Sequence, residues 1–246
     1  MNRDTQIVIL AAGKGSRMGG EAPKALCPLG SGTMLSNLLE SIKGFSDNKP
    51  ILVVGYKSEQ VMDAVGPDCT FSLQEEQNGT GHAVMSAREQ ILASPGQIII
   101  ILNADQPLIS KKTLNAFVSI MREKKSKFVI ATSHIQNDKL FEDYFRFLGR
   151  INRNSDEVIK SIIESKDATN EELAIREISP AFFCLDKTWL LDRLDRIENN
   201  NVQKEYYITD LISLAFNEGI AIDSIQVDER EALGANSREQ LKILEE

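Results

Sequence analysis

Short apolar runs recur along this chain, and each is followed by a polar loop and then by a segment whose apolar positions repeat every three to four residues. Ile7-Val8-Ile9-Leu10 and Ile51-Leu52-Val53-Val54 are β-branched, apolar on both faces and too short for helices, which predicts buried strands. Between them Leu35, Leu38, Leu39, Ile42 and Phe45 share one face of a helix that starts at Thr33. Residues 70–73 predict a third strand, leading into a helix that runs to Ala93, and residues 97–102 are apolar enough to predict a central strand covered on both faces. Leu114, Phe117, Val118 and Met121 then give a helical stripe, followed by a strand at 128–132. Strands alternating with helices predict βαβ units and a mostly parallel sheet, whose ligands lie beyond the carboxyl ends of the strands.

From Phe141 the apolar period shortens to two: Phe145 and Phe147, a turn at Asn154-Ser155-Asp156, and then a second alternating run to Glu164. This predicts an antiparallel excursion inserted into the parallel sheet. A helix around 189–198, an asparagine-rich turn at 199–201, a strand at 220–227 and a terminal helix complete the pattern. No linker, low-complexity tract or repeat divides the chain, so one domain spanning 1–246 is expected, an α/β fold with a Rossmann-like mostly parallel central sheet flanked by helices.

Composition narrows the function. A net charge of −8 argues against a nucleic-acid footprint, which requires a basic face. No apolar run approaches a membrane span and the chain starts without a signal-like stretch, so a cytoplasmic protein with no membrane partner is expected. Cys27, Cys69 and Cys184 are too far apart for a zinc knuckle and read as reduced packing residues. With only His82 and His134 present, any metal must be held mainly by oxygen, which favours Mg²⁺.

The chemistry concentrates in the loop after the first strand, where Gly13, Gly15, Gly19 and Gly20 accompany Lys14, Arg17 and Lys24. Glycines there let backbone N–H groups approach an anion, and the cations supply neutralising charge. An ordinary βα turn with solvated basic residues has the same composition. The dinucleotide fingerprint requires glycine where Met18 stands, and a P-loop requires glycine at Val8 and Ser or Thr at Gly15, so neither applies. What remains is Gly13-Lys14-Gly15-Ser16-Arg17-Met18 followed by Pro23-Lys24, which resembles the signature loop of the sugar-phosphate nucleotidyltransferases. Within them it is most similar to the pyrophosphorylase domain of bacterial N-acetylglucosamine-1-phosphate uridyltransferases.

That resemblance extends along nearly the whole chain and implies its roles. Leu10, Ala11, Ala12, Gly13 and Lys24 would contact the nucleotide, with Arg17 and Lys24 as the catalytic cations on the phosphates. Gln74-Glu75-Glu76-Gln77-Asn78-Gly79-Thr80-Gly81-His82-Ala83 resembles the uridine-reading loop, which assigns Gln74, Gly79 and Thr80 to the base; His82, at a helix start, reads as structural. Asn103 and Ala104, which replace an aromatic residue and a glycine of the family, would lie along the nucleotide, and Asp105 aligns with the Mg²⁺ aspartate. Gly149-Arg150-Ile151 and Glu164-Ser165-Lys166-Asp167-Ala168-Thr169 resemble sugar-binding segments, implicating Gly149 and Glu164. The family's E-I-N-T-G is here Glu177-Ile178-Ser179-Pro180-Ala181, so Ser179 stands where the sugar-contacting Asn is expected and sugar selectivity is open. Asn201, in a segment similar to N-x-Q-x-E-Y-Y-x-T-D, aligns as the second Mg²⁺ ligand, and Gly234-Ala235-Asn236-Ser237-Arg238 resembles G-V-N-x-R near the end.

The implied fold is the nucleotide-diphospho-sugar transferase fold, with 1–110 mainly nucleotide-binding and 140–230 mainly sugar-binding. The implied reaction condenses UTP with a sugar 1-phosphate, N-acetylglucosamine 1-phosphate first, with another hexose 1-phosphate such as glucose 1-phosphate as the alternative acceptor. A non-catalytic nucleotide-binding regulatory homologue is the alternative from another class. The resemblance stops where the bifunctional enzymes continue into an acetyltransferase domain, so that activity is not expected here. The sequence leaves the oligomeric state open.

Overall fold

The structure is a computed structural model that describes residues 2–15, 18 and 22–245. Its strands are β1 (Thr5–Leu10), β2 (Pro28–Leu29), β3 (Gly32–Thr33), β4 (Ile51–Val54), β5 (Thr70–Leu73), β6 (Ile98–Asn103), β7 (Phe128–His134), β8 (Gly149–Arg153), β9 (Ile159–Ile163), β10 (Glu177–Ser179), β11 (Phe183–Asp186) and β12 (Ile222–Gln226). Among the described residues one large sheet runs β5-β4-β1-β6-β11-β7-β10-β8-β9, with β12 also paired to β7 and β2–β3 forming a separate ribbon. β5, β4, β1 and β6 pair in parallel, as do β7 and β12, and antiparallel β11 lies between β6 and β7. The strands that set the direction of the central sheet therefore share their carboxyl ends, as the alternating pattern predicts.

β1 and β6 owe their central place to being apolar on both faces, and Ile7, Val8, Ile9 and Ile99 through Leu102 are all buried. Helices cover one side of the sheet, with Leu35, Leu38, Leu114 and Phe117 against Ile100 and Leu102, and the other side buries Val84, Ile91, Trp189 and Leu211 against Val53 and Ile101. The helix Met34–Ile42 starts as expected, capped by the Thr33 hydroxyl, which accepts from Ser36 N–H.

The excursion differs from the expectation at its start. Phe145 and Phe147 are not on a strand: Asp138–Asp143 is a helix, Phe145–Phe147 a 3₁₀ turn, and the antiparallel strands begin at β8. The spacing that decides the matter is Phe141, Tyr144 and Phe145, at i, i+3 and i+4, all buried in a third cluster with Met34, Ile178, Leu233 and Ala235. The Arg150 side chain, fully buried, donates to the carbonyls of Phe145, Arg146 and Leu173 at 3.0–3.3 Å and also to that of Leu148, which fixes the turn. The regions expected at 80–93 and 189–198 likewise each divide, into Thr80–Ser86 and Arg88–Ala93 and into Lys187–Leu191 and a 3₁₀ turn Leu194–Arg196.

β10 and β11 both run antiparallel to β7, and the segment between them keeps contact through Ala131 N–H on Phe182 O at 3.0 Å. Ser179, Pro180 and Ala181 thus form a bulge in one interrupted strand, with Ala181 at φ +57°. Pro180 has no N–H to give the ladder, and an alanine in the left-handed region is strained, so the bulge is a local distortion at the edge of the site described next.

Candidate functional site

The carboxyl ends of β1, β4 and β6 are tied together past the last ladder pair: Ala11 N–H donates to Val53 O, Ala104 N–H to Leu10 O and Tyr56 N–H to Ala12 O, at 2.9–3.1 Å. These bonds hold Leu10, Ala11, Ala12 and Gly13 on one lip of a cleft of about 560 Å³. Lys24, Gln74, Gly79, Thr80, Asn103, Ala104, Asp105 and Glu164 also line it, so the structure brings these sequence-selected residues to one place. Arg17 lies outside the described residues, as do Ser16, Gly19 and Gly20.

On the floor of the cleft the Lys24 ammonium meets two oxygens. It pairs with Asp105 Oδ2 and donates to Asn236 Oδ1 at 2.6 Å, with both ion-pair side chains largely shielded from water. Asn236 arrives there because residues 232–236 are stitched to 105–106. Ala235 N–H donates to Asp105 O at 3.0 Å and the Gln106 amide to Ala232 O at 3.3 Å. A Cβ on Gly234 would stand 2.7 Å from Asp105 O, so only glycine permits this approach.

Asn201 is the correction. It does not line the cleft; its Oδ1 accepts from Glu205 N–H at 3.1 Å and its Nδ2 donates to Glu205 O at 2.5 Å, so both ends of the amide close a turn on the backbone. The asparagine that shares a cation with Asp105 is Asn236. The signal was present in Gly234-Ala235-Asn236, where a glycine of forced close approach precedes a chemistry-bearing amide just before a helix.

The loop at 74–82 is fastened to the segment 206–208. Gly81 N–H donates to Tyr206 O at 2.7 Å, Tyr206 N–H to Asn78 O at 2.8 Å and Ile208 N–H to the Thr80 hydroxyl at 3.1 Å. At Gly79, with φ +104°, a Cβ would fall 2.5 Å from Tyr206 O. The Gln74 amide nitrogen is committed to Gly79 O and His82 Nδ1, both at 3.1 Å, which presents the Gln74 carbonyl oxygen as its remaining polar group and gives His82 the structural role expected of it.

The opposite wall carries Glu164 and Glu205 beside Lys166. The Glu164 carboxylate accepts from the Thr209 hydroxyl at 3.0 Å, and burial, with Asp210, Asp167 and Glu205 adding to it, raises its pKa against the lowering effect of that bond. Gly149 and Ser179 do not line the cleft. Gly149 sits behind Glu164, its Cβ position 3.7 Å from the carboxylate, and the Ser179 hydroxyl accepts from Ala181 N–H at 3.1 Å, so Pro180 and Ala181 occupy the wall in its place. Tyr144, Phe147 and Gln203 also line the cleft and were not selected from the sequence.

Asp105 Oδ2 and Asn236 Oδ1 converge on one cation and are hard oxygen donors, which suits Mg²⁺. Among the described residues no group of three or more His, Cys, Asp or Glu could hold a metal alone, so an ion here would complete its shell from phosphate and water.

A cleft at the carboxyl ends of parallel strands, with a cation and oxygen pair on its floor, defines an α/β protein of the nucleotide-binding class. The model of the MobA-like NTP transferase domain matches residues 7–203, and the chain belongs to that family of nucleotidyltransferases. It is 39% identical over 97% of its length to the bifunctional protein GlmU of Alkaliphilus oremlandii and 39% over 95% to that of Clostridium acetobutylicum. The chain spans about half the length of the curated relatives it matches, 50% in both cases. Among solved structures, a Bacillus anthracis protein described as a glucose-1-phosphate thymidylyltransferase, in complex with sucrose, superposes with a TM-score of 0.75 at 15% identity, over 98% of this chain and 94% of the other. A CMP:2-keto-3-deoxy-manno-octonic acid synthetase with CTP gives a TM-score of 0.69 at 16% identity, over 98% and 97%. Both establish the nucleotide-diphospho-sugar transferase fold. No helix among the described residues is long and apolar enough to cross a membrane.

Proposed function

We propose that this protein joins UTP to a sugar 1-phosphate, N-acetylglucosamine 1-phosphate first, giving a UDP-sugar and pyrophosphate. The observation that carries this reading is the convergence of Lys24, Asp105 and Asn236 between the 74–82 loop on one wall and Glu164 on the other. The likeness to the GlmU proteins supports it, as does the resemblance of 74–83 to a uridine-reading loop.

In this reading the parallel half of the sheet takes the nucleotide. The Gln74 side-chain carbonyl accepts from the N3–H of uracil, a position where cytosine carries an acceptor and no hydrogen. The amides after β1 and the Lys24 ammonium face the phosphates, Lys24 exchanging its two side-chain oxygens for phosphate oxygens. Asp105 and Asn236 would hold Mg²⁺, which when bound neutralises phosphate charge and fixes geometry. Glu164, with Thr209 bonded to it, accepts from sugar hydroxyls. An oxygen of the sugar 1-phosphate attacks the α-phosphorus of UTP; the bond from that phosphorus to the bridging oxygen breaks and pyrophosphate leaves with the electron pair. The attacking phosphate is already ionised at neutral pH, so no general base is required. The protein's work is to hold two anions together and offset their repulsion.

Pyrophosphate release, measured with each of the four nucleoside triphosphates and a panel of sugar 1-phosphates, tests the reading. Release should require UTP and Mg²⁺, stop on chelation and be fastest with N-acetylglucosamine 1-phosphate. A faster rate with glucose 1-phosphate would move the sugar assignment, and UTP binding without release under any pairing would support the regulatory alternative.

A further inference from the structure

A chain of two hydrogen bonds crosses the antiparallel wall. The Lys166 ammonium, on the turn after β9, donates to the Gln203 side-chain oxygen, and the Gln203 amide nitrogen lies 2.6 Å from the Tyr207 hydroxyl. All three residues line the cleft.

The direction of this chain is fixed at its outer end. An ammonium has hydrogens and no lone pair, so the end of the Gln203 amide that faces it is the oxygen. The other end is then the NH₂ group, which donates, and the Tyr207 oxygen accepts. A phenol that accepts still carries its own proton, and the Gln203 nitrogen cannot take it. Among the described residues that proton has no acceptor. Tyr207 is 7% exposed and stands two residues before Thr209, whose hydroxyl is bonded to Glu164, so its donor is offered on the side of the cleft that Glu164 lines. Burial first, then Asp167, Glu164 and Glu205, pushes the phenol pKa up to about 12 against the lowering effect of the Gln203 bond, so the proton is present at neutral pH.

Without Lys166 the chain loses its direction. The Gln203 amide is then free to turn end for end and take the phenol proton on its oxygen. That keeps one bond to Tyr207 and withdraws the donor from the cleft. We infer that Lys166 and Gln203 are positioning residues that aim the Tyr207 phenol at an acceptor oxygen of the sugar 1-phosphate. The inference deepens the nucleotidyltransferase reading and rests on it for the identity of the sugar.

Lys166→Met removes the ammonium and keeps the aliphatic stem, whereas Lys166→Arg keeps a group that only donates. Lys166→Met should raise the KM for the sugar 1-phosphate about 3- to 10-fold, the size of one hydrogen bond, and leave the KM for UTP within about two-fold. Lys166→Arg should return the sugar KM to near the wild-type value. In a Tyr207→Phe background Lys166→Met should add nothing, because the hydroxyl through which it acts is gone. A sugar KM unchanged in Lys166→Met, or raised as much in Lys166→Arg, overturns the inference. So does a full effect of Lys166→Met on top of Tyr207→Phe, since the ammonium would then meet the substrate itself. An effect confined to N-acetylglucosamine 1-phosphate assigns the phenol to the acetamido carbonyl, and an equal effect with glucose 1-phosphate assigns it to a hydroxyl that both sugars carry. If the wild-type protein releases no pyrophosphate with any sugar 1-phosphate, the reaction reading falls by itself, and the same variants are judged by calorimetry with UDP-N-acetylglucosamine. Binding weakened by Lys166→Met only where the Tyr207 hydroxyl is present sustains the inference, and binding that is equal or absent ends it.

Discussion

The two walls of the cleft are built by different physics. On the parallel side, positions are fixed by backbone bonds at the shared ends of β1, β4 and β6, and the side chain on the floor, Lys24, is cationic. On the antiparallel side, the wall is a bulge at Pro180–Ala181, a 3₁₀ turn and a crossing segment at 203–209, and its charged groups are the Glu164 and Glu205 carboxylates and the Lys166 ammonium, which donates to Gln203. A highly charged triphosphate suits the first wall and a neutral, hydroxyl-rich sugar the second. The difference teaches that phosphate handling here belongs to the regular sheet and selectivity to its interruption.

The largest effects should come from the floor where the walls meet. Asp105→Ala, Lys24→Ala and Asn236→Ala are each expected to lower turnover by at least ~10²-fold, comparable to losing one preorganised charge-stabilising group, with circular dichroism unchanged. Asn201→Ala breaks the comparison deliberately. It removes two bonds to the Glu205 backbone and should cost about 1–2 kcal/mol of stability while turnover at saturation stays within a few-fold. A loss in Asn201→Ala equal to that in Asn236→Ala would restore Asn201 to the chemistry.

That contrast also marks how far the sequence could be read. β1, β4 and β6 follow from apolar runs whose partners are alike, β5 pairs in parallel beside them, and the loops after all four lie at one edge, so Lys24, Gln74, Gly79 and Asp105 were legible as a group. Asn201 and Asn236 both follow turns and precede helices, and only a contact some 130 residues away, Ala235 N–H on Asp105 O, separates them. Tyr144 and Phe147 were hidden because a fully buried arginine, Arg150, winds their segment into helical turns where alternating phenylalanines suggested a strand. Ser179 stands where the resembling motif has its sugar-contacting Asn, but its hydroxyl accepts from the Ala181 N–H within the bulge.

A smaller effect sharpens the antiparallel side. Phe147 is 55% exposed at the cleft and carries the Arg146 guanidinium 5.3 Å from its ring centre, so its apolar face is available to the carbon face of a sugar. Phe147→Ala is expected to raise the KM for the sugar 1-phosphate about 3- to 10-fold, the loss of one partly exposed aromatic contact of roughly 1 kcal/mol, and to leave the KM for UTP within two-fold. Equal shifts in both would place the ring with the nucleotide.

The smallest effect concerns a carboxylate behind that wall, a charged neighbour of Glu164, and is read in stability. Asp210 opens the helix Asp210–Asn217, where the dipole favours an ionised carboxylate. Its pKa is nevertheless pushed up to about 6, by burial first and then by Asp167 and Glu198. The folded state therefore holds this proton more tightly than the unfolded chain does. Unfolding free energy should fall as pH rises from the ordinary aspartate range, about 4, to about 6, and stay low above it. Asp210→Asn removes that decline. Because the group is partly exposed and screened, the gain at pH 7.5 should be on the order of 1 kcal/mol, or about 2–4 °C in melting temperature, shrinking toward zero at pH 4. A variant less stable than wild type at pH 7.5 would mean that the dipole outweighs Asp167 and Glu198, and the fold would then tolerate this carboxylate cluster at no measurable cost.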